Sequence, residues 1–245
     1  MVEPLPASVL DELRAWNTPS IANAIELFDV RPRDQGFASG EIKCVFPHFP
    51  VMVGYAATAT IRAATPPGPD ARARTLELYD HVLSLPEPRI VVIKDLDDPP
   101  ALGSFWGEVN GNTFKAHGAI GVVTDGGVRD VDEVEALGFH YFARSVIVSH
   151  AYVHVVEVGV PVEIGGLTIH PGDLLHGDKH GVMSIPRDIA HLVPEAARRI
   201  EERERALIDY CKSPEFTSEG LRALQQRLPP SRAPERDATA RESYA

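Results

Sequence analysis

The apolar positions of this chain change period several times, and each change marks an element. Val9, Leu10, Leu13 and Trp16 recur at helical spacing, which predicts a helix over residues 8–16 with Ser8 as its N-cap. Thr18-Pro19 reads as a second N-cap with proline at the first helical position, opening a helix over 20–28. Residues 36–52, with Pro47, His48 and Pro50, read as loop. From 53 to 63 the period falls to two, with Tyr55, Ala57, Ala59 and Ile61 alternating with Thr58 and Thr60, as in a strand. Pro66, Pro67 and Pro69 turn the chain into a helix over 71–85. The apolar run at 89–94 predicts a buried strand, 103–117 a helix closed by Gly118 as its C′ residue, and 119–124 a second buried strand. A sharp turn at Asp125-Gly126-Gly127 leads into a short helix over 131–137. Residues 139–185 are β-rich, with Gly165-Gly166 as a hairpin turn, and 187–210 form one long charged helix. The βα units and the antiparallel strands after them are too small to hold separate cores. The pattern therefore predicts one mixed α/β domain over 1–226 and a weakly structured tail over 227–245.

Composition narrows the function classes. The 245 residues are 44% hydrophobic and 24% charged, a globular balance. The formal net charge is -11, which argues against a nucleic-acid partner. No apolar run approaches the roughly 20 residues that span a bilayer, and the first residues carry no basic and apolar leader pattern, so neither a membrane nor an export role is expected. Cys44 and Cys211 lie far apart and outside any CxxC, which fits a reducing cytoplasm.

Candidate chemistry concentrates in residues 106–132. Asp125, Arg129 and Asp130 fall at the carboxyl end of the strand at 119–124, the edge where α/β proteins bind ligands. A guanidinium there can grip a small carboxylate with two parallel hydrogen bonds, and the neighbouring aspartate can hold a hard divalent cation. The plainer reading is an Asp-Gly turn in which Asp130 caps the following helix and Arg129 makes a surface ion pair. No GxGxxG opens a helix after a strand and no GxxxxGK[ST] occurs, so dinucleotide binding and nucleotide hydrolysis have no support. Lys94 is a conceivable Schiff-base lysine at a strand end, but Arg129-Asp130 supplies a route that needs none. His176, Asp178 and His180 alternate as metal ligands do, and His150 and His154 are spaced to share a face; no cysteine or second histidine pair completes a tetrahedral set. Structural roles for these histidines are favoured. Phe105, Trp106 and Tyr152 read as core, and the charges at 198–205 as a solvated helix face with i,i+4 pairs.

Gly107-Glu108, Gly118 and the DGGVRD segment at 125–130 resemble the family of the regulator of ribonuclease activity A and the class II 4-hydroxy-4-methyl-2-oxoglutarate aldolases. The PSIANA segment at 19–24, GYAATA at 54–59, and PGD at 171–173 with GDKHGV at 177–182 match further family motifs in order, so the resemblance runs from about 15 to about 210. Glu108 stands 21 positions before Arg129, the interval of the family's loop acid and arginine. The resemblance implies a sandwich of sheets and helices like the phosphohistidine (swivelling) domain of phosphoenolpyruvate-utilising enzymes. It also implies a homotrimer or homohexamer with sites between subunits. By the same resemblance, Mg²⁺ or Mn²⁺ binds near Asp130. Arg129 and the loop amides of Gly107, Glu108, Val109 and Asn110 hold a pyruvate-like group. The catalytic residues are then Arg129, Glu108 and an acid from a neighbour's C-terminal helix, Glu204 with Glu201 as the alternative. The implied activity is cleavage of a 4-hydroxy-2-oxo acid or decarboxylation of oxaloacetate; the alternative is a regulator without catalysis that binds a protein such as a ribonuclease.

Overall fold

The computed structural model describes residues 2–235. Helices α1 (Ala7–Arg14) and α2 (Thr18–Glu26) open the chain. There follow β1 (Lys43–Cys44), β2 (Met52–Arg62), α3 (Ala71–Leu83), β3 (Arg89–Asp95), β4 (Ser104–Trp106), α4 (Glu108–Ala116), β5 (Ala119–Thr124), β6 (Gly127–Val128) and α5 (Val131–Leu137). After them come β7 (His140–Ala143), β8 (Ser145–Val146), β9 (His154–Val158), the hairpin of β10 (Val162–Ile164) and β11 (Leu167–Ile169), and the hairpin of β12 (Leu174–Asp178) and β13 (Gly181–Ile185). Two helices, α6 (Val193–Lys212) and α7 (Ser218–Arg227), complete the described elements.

The fold is mixed α/β around a large, nearly closed sheet with strand order β1-β7-β5-β3-β2-β12-β13 and β9 added against β2. Its centre is parallel: β2, β3, β5 and β7 run together, and α3, α4 and α5 make the crossovers that parallel pairing requires. Strands β1, β9, β12 and β13 close the flanks antiparallel. Strand β2 divides the core by side-chain parity. Ala57, Ala59 and Ile61 face a cluster with Leu78, Val82 and Phe114, while Val53 and Tyr55 meet Leu13, Ile21 and Val193 of α1, α2 and α6. Met52 and Ala56 turn the other way, onto Ile164 and Ile169 of the β10-β11 hairpin.

The expected helix at 103–117 is a strand and a helix. Residues 104–106 pair with β6 and bury Trp106 completely, and α4 begins only after Gly107. Helix α1 starts directly after Pro6 with no side-chain cap, and the cap of α2 is Asn17, whose carboxamide oxygen accepts from Ser20 N–H at 2.9 Å. Thr18 has other partners. Its hydroxyl meets His176 Nδ1 at 3.0 Å, and its amide donates to Asp178 at 2.9 Å. The long helix begins at Val193 rather than 187, and a further helix, α7, follows it, capped by Thr217 onto Gly220 N–H. Tyr152, expected in the core, is 57% exposed. Gly118 closes α4 as expected, at φ 76° with its amide on the Lys115 carbonyl. Of the expected tail, 228–235 lie without regular structure against α6, and 236–245 fall outside the described residues.

The spacing that suggested a metal at 176–180 serves this packing. The His176 ring is fully buried, with Nδ1 on Thr18 and Nε2 donating to the Leu13 carbonyl at 3.2 Å, so it is neutral, and burial pulls its pKa down to about 4. Burial works against the charge of Asp178, but the amides of Thr18 and His180 outweigh it and hold its pKa below the usual value. His150 and His154 each turn onto a nearby backbone carbonyl.

His140 on β7 gives the fold a measurable acid sensitivity. It lies against Phe49 and Phe142, and burial lowers its pKa from 6.5 to about 4. A pKa depressed on folding means that protons bind the unfolded chain more tightly, so the stability is complete above pH 6.5 and is lost as pH falls towards 4. At pH 5 this one histidine costs about 2 kcal/mol. In urea melts, His140→Phe should match the natural chain near pH 7 and lose less stability on going to pH 5. Parallel pH profiles for the two proteins would contradict this assignment.

Candidate functional site

Ser104 organises the site. Its hydroxyl proton is shared between the carbonyls of Trp106 (2.5 Å) and Gly127 (2.9 Å), which ties β4 to β6 at their paired ends. Trp106 packs against Phe105, Phe114 and Phe139 and anchors this small sheet in the main core. Two turns leave the pair side by side: Gly107, which opens α4, and Arg129-Asp130, which opens α5. The Arg129 amide donates to the Trp106 carbonyl at 3.1 Å and sets the register between them.

Asp130 occupies the N-cap position of α5 in a left-handed conformation, φ 52°, yet its side chain makes no cap bond there. It reaches across instead, and its Oδ2 accepts from the Glu108 amide, the first of α4, at 2.9 Å. A carboxylate at a helix N-terminus satisfies an orphan donor and meets the positive end of the helix dipole. The same oxygen lies 3.8 Å from Arg129 Nε. The Arg129 and Asp130 side chains are 36% and 35% exposed, so both border solvent. Beyond Glu108, the amides of Val109 and Asn110 have no acceptor within α4 by helix geometry, which makes this rim a place for an anion. The Asn110 side chain turns inward to the Phe105 carbonyl at 2.5 Å, while the Glu108 and Val109 side chains are exposed.

Gly107, Glu108, Val109, Asn110, Arg129 and Asp130 lie at one rim. Glu204 does not join them within the chain. It lines a groove between α6 and α2 with Glu201, Asn17, Ser20 and Asn23, about 200 Å³ in volume. Sequence reasoning missed Tyr141, whose hydroxyl donates to the Arg129 carbonyl at 3.5 Å beneath the turn. Burial, reinforced by the Asp130 charge, pushes its pKa up and keeps it protonated. Position on a buried strand gave no sign of that contact. Asp125 turns away from the rim and holds Lys94 and the Asp95 amide, so Lys94 is spent in an ion pair.

Among the described residues no group of three His, Cys, Asp or Glu could hold a metal, so a closed protein cage does not fit. Asp130 with the exposed Glu108 offers only oxygen donors and few of them. That suits a hard cation such as Mg²⁺ or Mn²⁺, which keeps waters and takes its remaining ligands from a bound substrate.

Gly107 is required by this arrangement. A Cβ there would stand 2.4 Å from Asp130 Oδ2 and 3.2 Å from Arg129 Nε. Because the obstacle is the end of a side chain, Gly107→Ala should leave stability within about 1 kcal/mol while expelling the carboxylate. The Glu108 amide resonance in a ¹H–¹⁵N spectrum should then move strongly. An unchanged resonance would show that Asp130 does not clamp α4.

Comparison with known proteins agrees with the motifs. The model of the RraA-like family, described as Aldolase/RraA, matches residues 9–184. A protein of Halalkalibacterium halodurans named "Putative 4-hydroxy-4-methyl-2-oxoglutarate aldolase" is 37% identical over 100 residues, 39% of this chain and 48% of that protein. An uncharacterised protein of Methanocaldococcus jannaschii is 35% identical over 103 residues, 42% of this chain and 50% of that one. The matches therefore span about half the length of these curated relatives. A crystal structure of an uncharacterised Pseudomonas syringae protein superposes with TM-score 0.71 at 26% identity, covering 93% of this chain and 97% of that one. RraAS2 of Streptomyces coelicolor, described as an unusual member of the RNase ES inhibitor RraA protein family, shares the fold at TM-score 0.67 and 21% identity, over 84% of this chain and 98% of its own. Matched by the family model over most of its length, the chain belongs to the RraA-like (Aldolase/RraA) family.

Proposed function

We propose that the protein is a divalent-metal-dependent carbon–carbon lyase for small 2-oxo acids. It would cleave a 4-hydroxy-2-oxo acid of the 4-hydroxy-4-methyl-2-oxoglutarate kind to pyruvate and decarboxylate oxaloacetate through the same enolate. The observation that carries this reading is the convergence of the Arg129 guanidinium, the Asp130 carboxylate and the open amides of α4 at one rim. The relative named as an aldolase supports the same chemistry.

In this reading Arg129 grips the substrate carboxylate with its planar fork, and the amides of Val109 and Asn110 donate to the same anionic end. Held by Asp130, Mg²⁺ or Mn²⁺ would supply Lewis-acid stabilisation of the charge that builds on the 2-oxo oxygen. Arg129 shares that charge as the enolate forms. In the aldol cleavage Glu108, through a water, takes the proton of the 4-hydroxyl. The C3–C4 bond then breaks, its electrons enter the enolate, and protonation at C3 releases pyruvate. Decarboxylation needs no base for bond breaking and is the more permissive activity. Glu204, with Glu201 one turn earlier as the alternative, completes the site from a neighbouring copy in a homotrimer or homohexamer. A fold of this kind is shared with the phosphohistidine domains in the same reading. In the same reading its partner is a small acid and its place the cytoplasm; among the described residues no helix is long and apolar enough to cross a membrane.

A coupled pyruvate assay tests the reaction. Activity on oxaloacetate should vanish with EDTA and return with Mg²⁺ or Mn²⁺; full activity in metal-free protein would overturn the mechanism. Arg129→Lys keeps the charge but loses the fork, and should lower kcat/KM by about 100-fold or more, partly in kcat, with the fold intact by circular dichroism. Near-natural kinetics would favour the regulator without catalysis.

Assembly has its own test. Light scattering should give three or six times 26.7 kDa. Arg129→Ala and Glu204→Ala, each inactive alone, should recover part of the activity when unfolded together and co-refolded, because some interfaces then carry both natural residues. No recovery, with each variant still assembled, would remove Glu204 from the shared site.

A further inference from the structure

The segment after α7 is pinned across α6. Pro234 is buried and Ala233 packs into the core formed by α1, α2 and α6. Arg199 on α6 donates to the carbonyls of Arg232 (3.4 Å) and Ala233 (3.5 Å), and Ser231 Oγ reaches back to the Arg199 carbonyl at 3.5 Å. Pro229 and Pro230 restrict the backbone between this anchor and the end of α7. Between strap and helix lies a groove of about 330 Å³, lined by Arg199, Glu202, Arg203, Ser231 and Arg232 together with the prolines.

Its charge is unusual for this molecule. Three arginines face one glutamate in a chain of net charge -11. Arg199 shares Glu195 with Arg198. Among the described residues neither Arg203 nor Arg232 has an acidic partner, and Arg203 Nε is shielded from water with no acceptor. The arginines elsewhere on α6 do find acids: Arg198 meets Glu12 and Glu195, and Arg205 meets Glu201.

We infer that this groove is a binding site for a small oxyanion, phosphate or carboxylate, gripped by Arg203 and Arg232. Planar guanidinium forks suit paired oxygens, and the proline-stiffened strap holds Ser231 and Arg232 in place before the ligand arrives, which lowers the ordering cost of binding. The volume exceeds that of a bare phosphate, and Leu228, Pro229 and Pro230 offer an apolar wall, so the site has room for an organic anion bearing such a group. It lies on a different flank of α6 from the groove of Glu201 and Glu204 and does not depend on the lyase reading.

Calorimetric titration of the full chain with inorganic phosphate and with malonate, at ionic strength held constant with chloride, tests the site. Saturable binding of at least one anion is expected, and the stronger of the two identifies the group the site takes. Arg203→Gln and Arg232→Gln should each weaken it at least tenfold, with melting temperatures showing that the variants are folded. Lys212→Gln, on the same helix but outside the groove, should bind as the natural chain does. Failure of both anions to bind above the chloride background, or equal binding by the arginine variants, would overturn the inference.

Discussion

Everything at the candidate site depends on how β4 pairs with β6 in a small sheet that β8 completes on the other side of β6. Ser104 and Trp106 meet Gly127 and Val128 in parallel, a contact too small to persist alone. It holds because Trp106 is sunk among Phe105, Phe114 and Phe139, and because the Ser104 hydroxyl binds carbonyls of both strands. The pairing delivers the Asp130 carboxylate to the first amide of α4 and places it where a Cβ at Gly107 would stand. Arg129 then faces the rim because its own amide is fixed on Trp106.

The chain uses the same device twice with opposite results. At α2, as at α4, a carboxylate from a distant segment meets the first helical amide: Asp178 to Thr18, and Asp130 to Glu108. Around Asp178 every partner is internal, with His176 buried beneath and His180 folded back, so the arrangement docks a helix onto β12. Around Asp130 the next amides, the arginine and the exposed Glu108 remain open to solvent. Burial separates a structural cap from one available for chemistry, since a ligand can only use donors that water can reach.

Helix α6 likewise has distinct flanks within one run of mixed charge. Its first turns bury Val193, Ala196 and Ala197 against the core, one flank sets Glu201 and Glu204 beside Asn17 and Asn23, and another lies under the strap. The i,i+4 pairs expected of a solvated face are present, at Glu195–Arg199 and Glu201–Arg205. They account for part of the charge, and the arginines under the strap stand apart from them.

Local pattern determined a good deal by itself. Period two at 53–63, the apolar runs at 89–94 and 119–124 and the glycine at 118 placed the central strands and their crossovers, because these signals act within a few residues. The grouping of Glu108 with Arg129 and Asp130 came through the family resemblance, whose motifs and interval these positions match. Tertiary structure decided what those side chains touch. Residues 104–106 became a strand because β6 was there to pair with, against a helical local pattern. Thr18 gave up the capping role to Asn17 because His176 and Asp178 lay within reach, and those two residues became a helix anchor, in line with the structural reading favoured over a metal site. Asp130 stands at the head of one helix and binds the head of another. A hydrogen bond between residues 22 positions apart depends on how the intervening strand and turn are packed, and no window of sequence contains that information.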